Sequence, residues 1–288
     1  MPLSIVKGEY HIRNSEPDGD SVHFHPTDPD AFRVLRLPAQ LHTDGGVQLR
    51  LDAIDALETH YTPRVRGSFL QHQPLGPAHA AADRLLTLVG FTEYTRDDRE
   101  LVTAATPETV PGYILTRFAD KYGRPVALAY AGDSPHADLS PVRVDVALLK
   151  HSVNYHLISA GMAYPTYYSR LYPDLRRTLT AAVGHARSRR TGIWADDATT
   201  TGAKITTLAD LTDAIVILPK LFRRLVDYLA LGAGSVSLSG FLDFLAARDD
   251  RVIVLSEGHV TGFDSVVEVR DETVRLTHPP EDLVFVEA

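Results

Sequence analysis

The sequence predicts an α+β chain in two parts: a β-rich first part with helices set into it, and a smaller α+β second part. Three observations carry that expectation. Short runs alternate apolar and polar residues with the period of half-buried strands. Ala/Leu-rich stretches repeat apolar residues at helical spacing. A Thr/Asp/Gly-rich stretch, Trp194 to Lys204, separates the two parts like a linker. The 288 residues, 44% hydrophobic and 23% charged, suffice for two cores, so domains are expected at 1–197 and 205–288.

In chain order, Ser21 to His25 alternates, and Phe32 to Leu41 reads as a further strand. The turn Asp44-Gly45-Gly46 feeds a strand from Val47 to Ile54. Gly76 to Gly90 is a helix bounded by glycines and entered through Pro77. Gly112 to Phe118 and Pro125 to Gly132 are strands joined by "ADKYGR". Ser140 followed by Pro141 predicts an N-cap with proline at the first helical position, and Val146, Leu149, Val153 and Leu157 continue a helical stripe to Gly161. From Pro173 to Thr191 a helix places Leu175, Leu179, Ala182 and Ala186 on one face. Its other face, Arg176, Arg177, Arg187, Arg189 and Arg190, reads as solvated. Past the linker come a helical region broken at Pro219 and a short helix capped by Ser239. Strands follow in "RVIVLSE", "SVVEVRDETVRLTH" and "LVFVE", the middle run folding as a hairpin at "RDET".

Composition narrows the chemistry. There is no cysteine, which excludes disulfides, thiolate metal sites and thiol nucleophiles, so any metal must be held by oxygen or imidazole. The first twenty residues hold no apolar run like a signal peptide. The longest apolar stretch, Ala214 to Gly232, is interrupted by Pro219, Lys220, Arg223, Arg224 and Asp227. A cytoplasmic protein without a membrane partner is the expectation. The net charge of −8 lies wholly in the tail: 8 basic and 16 acidic residues follow from Asp196 onward, leaving 21 of each before it. A neutral first part can carry a local basic patch, so a polyanionic partner remains compatible.

The stretch "VQLRLDAIDALETHY", Val47 to Tyr61, begins as a strand and then loses its alternation where Asp55 and Glu58 appear, three residues apart. A solvated turn accounts for such carboxylates. An anion site beside a cation site is the other reading. Three further patches bear on the choice: "EPDGDS" with Asp18 and Asp20, "DKYGR" with Arg124 at a tight turn, and "LISAGMAY" followed by "RSRRTGIWADD".

In this order and spacing, the patches resemble the staphylococcal-nuclease-like (thermonuclease) family, over roughly Lys7 to Asp197. The resemblance implies a five-stranded OB-type β-barrel with three helices. It implies that Asp20 and Asp55 hold a Ca2+ ion together with the main-chain carbonyl of Ala56, and that Glu58 positions or deprotonates the attacking water. Arg50 and Arg124 match the pair that binds the scissile phosphate, with Asp18 and Ser21 as supporting positions. The chemistry is coherent with this: a hard cation with oxygen ligands and two guanidinium groups would neutralise charge on a phosphoryl group while a carboxylate takes the proton from water. The expected activity is therefore a Ca2+-dependent endonuclease, a hydrolase of phosphodiester bonds in DNA, RNA or both.

The chain departs from the family pattern at Leu57, where proline is usual, and at Ala56, where threonine is frequent. Longer segments at Val22 to Gln48 and Thr59 to Asp120 remodel the loops that rim the groove. A barrel that binds nucleic acid or protein without cleaving it is the rival reading. The 205–288 domain is expected to serve docking or homo-oligomerisation, with the amphipathic stretch Leu218 to Leu231 and the tail's strands as the pairing surfaces, or to cover the groove. His23 and His25 share a strand face and read as a surface pair. Tyr164, Tyr167, Tyr168 and Tyr172 are expected to pack around the barrel, and Trp194 to close its core.

Overall fold

The alternating runs of the first part close on themselves. The computed structural model describes residues 2–232 and 236–287, and the chain packs as two compact units, Met1–Asp52 with Ala81–Leu157, and Ala53–Ala80 with Ile158–Ala288. In the first unit, strands Ser21–Pro26, Val47–Leu51, Pro125–Ala131, Thr109–Ala119 and Leu3–His11 lie in that order, and Leu3–His11 pairs back onto Ser21–Pro26. The result is the expected closed five-stranded barrel. All pairs are antiparallel except Val47–Leu51 with Pro125–Ala131.

Alternation decides what fills it. Val47, Leu49 and Leu51 are buried, whereas Gln48 and Arg50 keep some exposure. Tyr10 is wholly enclosed: its hydroxyl donates to the Tyr130 carbonyl at 3.0 Å and accepts from the Tyr130 amide at 3.1 Å. Closure is tight at Gly8, where a Cβ would stand 2.1 Å from the His25 carbonyl oxygen. Asn154 fastens a helix to the barrel wall, accepting from the Ala129 amide and donating to the Ala127 and Asp52 carbonyls.

Two expected elements of this unit differ. Phe32 to Leu41 is not a strand: Ala31–Val34 forms one helical turn, started by Asp28-Pro29-Asp30, with the Arg33–Asp30 ion pair across it. Arg36 then turns into the left-handed region and Pro38 follows, so no ladder can form. The helix expected from Ser140 begins later. Pro141–Val142 pairs with Leu3 and Ser4 at the barrel margin, a place that needs no amide from proline. Asp145 is the true N-cap, accepting from the Leu148 amide at 2.8 Å. The stripe splits into Val146–Lys150 and Val153–Ser159, because the Ser152 hydroxyl donates to the Leu149 carbonyl and accepts the Tyr155 amide.

Among its described residues the second unit holds small sheets and the helices Pro173–Ser188, Pro219–Leu229 and Phe241–Ala247. Ile54–Asp55 pairs with Tyr164–Pro165. Tyr167–Tyr168, Leu283–Phe285, Arg251–Val254 and His259–Gly262 form a four-stranded sheet, and Ala203–Lys204, Thr273–Leu276 and Val267–Arg270 a three-stranded one that includes the expected hairpin. Residues on both sides of the linker stretch thus share sheets, as Tyr167 opposite Val284 shows. Tyr164 and Tyr167 are buried in this unit, and Trp194 packs edge-on against Tyr164 at 5.1 Å.

Three further expectations change. Gly240, not Ser239, caps the Phe241–Ala247 helix, without a side-chain bond. The Pro219–Leu229 helix buries Leu221, Phe222, Leu225 and Val226, so that stretch is not a free surface for pairing with a second copy. On the Pro173–Ser188 helix, Arg187 leaves the solvated face to make a two-point pair with Glu281 and lie over the Trp194 ring at 4.3 Å. Among the described residues no helix is long and apolar enough to cross a membrane.

Candidate functional site

Three of the expected site residues sit in the barrel unit at adjoining strand ends. Ser21 pairs with Arg50, and Arg50 pairs with Val126 on the parallel neighbour. Asp20, just before the first of these strands, and Arg124, just before the last, therefore flank Arg50. Arg50 Nη1 donates to Asp20 Oδ2 at 3.2 Å, with both side chains largely buried. Arg124 is placed by its own turn: Asp120 accepts from the amides of Tyr122 and Arg124 and takes Arg124 Nε at 2.8 Å. Gly123 makes that turn possible, with φ +77° and Gln40 N only 2.8 Å from where a Cβ would be. Asp18 and Ser21 shape the strand entrance: Asp18 Oδ1 accepts from the Gly19 amide, and Ser21 Oγ from Gln48 Nε2.

The other three, Asp55, Ala56 and Glu58, belong to the second unit. The Val47 strand ends at Leu51, and Ala53 takes φ +68°, a left-handed turn that explains the lost alternation. Asp55 then enters a two-residue ladder opposite Tyr164 and is completely buried, as are Ala56 and Leu57. Glu58 is also buried and fixed through its backbone: Gln73 N donates to its carbonyl at 2.9 Å, while Gln73 Oε1 accepts its amide. Gln73 Nε2 donates onward to the Ile217 carbonyl at 2.8 Å.

A residue that sequence reasoning did not assign to the site completes this cluster. Arg223, on the Pro219–Leu229 helix, donates from Nη2 to Asp55 Oδ2 at 2.7 Å and from Nη1 to Asp55 Oδ1 at 3.2 Å, and Nη1 also pairs with Glu58 Oε1. Burial works against its charge, but Asp55 and then Glu58 outweigh burial and hold the guanidinium well above the usual arginine range. The helix is fastened on both sides of it. Lys220 and Arg224 pair with Asp250, and the buried Asp227 carboxylate accepts from Tyr61 Oη at 3.0 Å and the Arg64 amide at 2.9 Å. One signal was readable in the sequence: a helix otherwise so apolar carries three cations, and buried cations require acids.

Among the described residues no three acidic or histidine side chains gather as an ion-binding group. His23 and His25 are more than a surface pair: His25 stacks on His11 with ring centroids 3.8 Å apart, and His23 lies 4.7 Å from His42. Compared with known families, residues 48–196 match the one described as Staphylococcal nuclease homologue. Among curated proteins, none matches the chain.

Proposed function

The chain belongs to the staphylococcal nuclease homologue family, and we propose that it hydrolyses phosphodiester bonds in DNA, RNA or both. The observation that supports this most is the placement of Arg50 and Arg124 at adjoining ends of neighbouring barrel strands, with Asp20 beside them. A phosphodiester resists nucleophiles because its own charge shields phosphorus. Two guanidinium groups donating to the non-bridging oxygens would hold it and neutralise charge that grows as the water oxygen attacks. In the role that the resemblance gives it, Glu58 would take the proton from that water as the P–O ester bond opposite breaks and the departing oxygen is protonated from solvent. None of these steps needs a 2′-hydroxyl, so DNA and RNA are chemically equivalent substrates.

The resemblance also implies Ca2+ at Asp20, Asp55 and the Ala56 carbonyl. These hard oxygen donors are right in kind. As they stand they do not fit an ion, because Asp20 is paired with Arg50 and both Asp55 oxygens with Arg223.

Labelled DNA and RNA, digested with calcium, magnesium or chelator, test the reading beside Glu58→Gln and Arg50→Ala. Either variant is expected to lower cleavage by about 100- to 1,000-fold. Intact polymers under every condition, with wild-type and Arg223→Met protein alike, would defeat it. A binding module without catalysis is the second reading, favoured by the guanidinium that already neutralises Asp55 and Glu58. In that case Glu58→Gln keeps its affinity for a nucleic-acid probe, and there is no turnover to lose.

A further inference from the structure

We propose that Arg223 is an internal competitor for the cation at Asp55, so that a divalent ion reaches this carboxylate only by displacing this chain's own guanidinium, which also holds the neighbouring Glu58. The inference rests on the reading above, in which Asp55 is a cation ligand and Glu58 beside it is the base. It turns the misfit between donor set and ion into a property of the protein.

Geometry carries the argument. Arg223 meets Asp55 as a planar fork, one nitrogen to each oxygen, and extends the same Nη1 to Glu58. That arrangement engages both carboxylates and both Asp55 oxygens, the atoms an ion would need. Asp55 is fully buried, so its charge requires a compensating cation at all times. Exchange of Arg223 for a metal ion keeps a cation on Asp55 in either state.

The helix beneath is not part of the exchange. Leu221, Phe222, Leu225 and Val226 are buried, and Asp227 and Asp250 tie its cationic neighbours. The Arg223 side chain is one-fifth exposed while Asp55 is not exposed at all. The mobile partner of the pair is therefore the arginine side chain, swinging outward from a fixed helix. The Ile217 carbonyl, two residues before that helix, is joined through Gln73 to the Glu58 backbone, so the helix start and the carboxylate loop keep their spacing when it does.

Calorimetric titration with calcium chloride, on full-length protein, measures the competition without any assay of cleavage. Arg223→Met, which keeps length and packing but not charge, is expected to bind calcium about 10- to 100-fold more tightly than wild type, within the range found for two ligands coupled on one protein. Arg223→Lys keeps a cation but loses the fork and is expected to fall between. Asp55→Asn in the Arg223→Met background is expected to abolish the gained binding. Equal calcium affinity in wild type, Arg223→Lys and Arg223→Met overturns the proposal. Should Arg223→Met fail to fold without calcium, refolding on calcium addition supports it, and equal affinity of Arg223→Lys and wild type still refutes it. The two readings fail separately. Gained binding without cleavage leaves the competitor and removes the nuclease; calcium-dependent cleavage with unchanged affinities does the reverse.

Discussion

Arg223 and Asp55, 168 residues apart in the chain, face each other in a two-point fork at 2.7 and 3.2 Å. One end of that fork is wholly removed from water. The contact therefore joins the Pro219–Leu229 helix to the loop that carries the candidate catalytic carboxylate.

Removing only the cation should be costly in the absence of metal. Arg223→Ala breaks a two-point pair with a buried carboxylate, and removing one partner of a buried pair typically destabilises by about 3–5 kcal/mol. Urea unfolding in chelator measures it. Adding Asp55→Asn should return part of the loss, since the buried charge goes with it. A single variant as stable as wild type would mean that Asp55 finds another cation at once.

The histidine group on the barrel predicts a pH dependence of opposite chemistry. His25 is pulled below its ordinary value by burial first and then by His11, with His42 adding and Asp44 and Glu9 opposing. His23 is lowered by burial and by His42, with a small contribution from His25, against Gln48 and Asp44. A folded-state value below the unfolded one, about 6.5, means the fold favours neutral rings. Their stabilisation is complete above about pH 6.5 and is lost as pH falls through the lower folded values. Urea midpoints taken at neutral pH and near pH 5 should converge for wild type and His25→Gln as acid is approached, and parallel curves would discount the cluster.

Much of this fold was legible because burial on one face writes itself as alternation. The Val47 and Thr273 strands follow that rule, whereas Pro125 to Tyr130 is buried on both faces and was legible instead as a short apolar run. The misreadings share a cause, a local signal outvoted by a distant partner. Ser140-Pro141 has the letters of a helix start, yet Leu3 and Ser4 recruit Pro141 into a strand, and Asp145 caps the helix instead. Phe32 to Leu41 has strand-like residues but Asp28 to Asp30 winds them into a turn. For the site, Asp20, Arg50 and Arg124 could be read from short motifs, since each lies next to a strand end. Arg223 could not be placed, because its partners are set by packing of a helix whose position no local pattern encodes.

Cutting the chain after Lys204 probes the boundary that the linker stretch suggests. Tyr167 and Tyr168 would lose the strand Leu283–Phe285, Arg187 would lose Glu281, and Asp55 would lose Arg223. The expected product exposes apolar surface, binds a hydrophobic dye and unfolds without a sharp transition. Cooperative unfolding of the 1–204 fragment at the wild-type midpoint would establish 1–197 as a domain that stands by itself.

Lys220 offers the sharpest separation of charge from packing. Its amine is nearly enclosed, lies 4.3 Å from the centre of the Phe285 ring, and reaches Asp250 Oδ1 at 3.3 Å. Burial is the main influence and lowers it to about 8, with Arg224 and Arg223 adding and Asp250 opposing. The unfolded lysine titrates near 10.4, so the fold favours the neutral amine. That contribution is full above the unfolded value and vanishes as pH falls through about 8. At pH 7 the protein therefore carries the cost of a buried ammonium. Lys220→Met should be the more stable form there, by on the order of 1–3 kcal/mol, because Asp250 keeps Arg224 through Nε at 2.6 Å and is not orphaned. The advantage should shrink steadily toward pH 10, where the wild-type amine is neutral in the fold. Paired denaturation curves across that interval decide the matter: a gap that does not narrow would show the amine to be hydrated rather than enclosed.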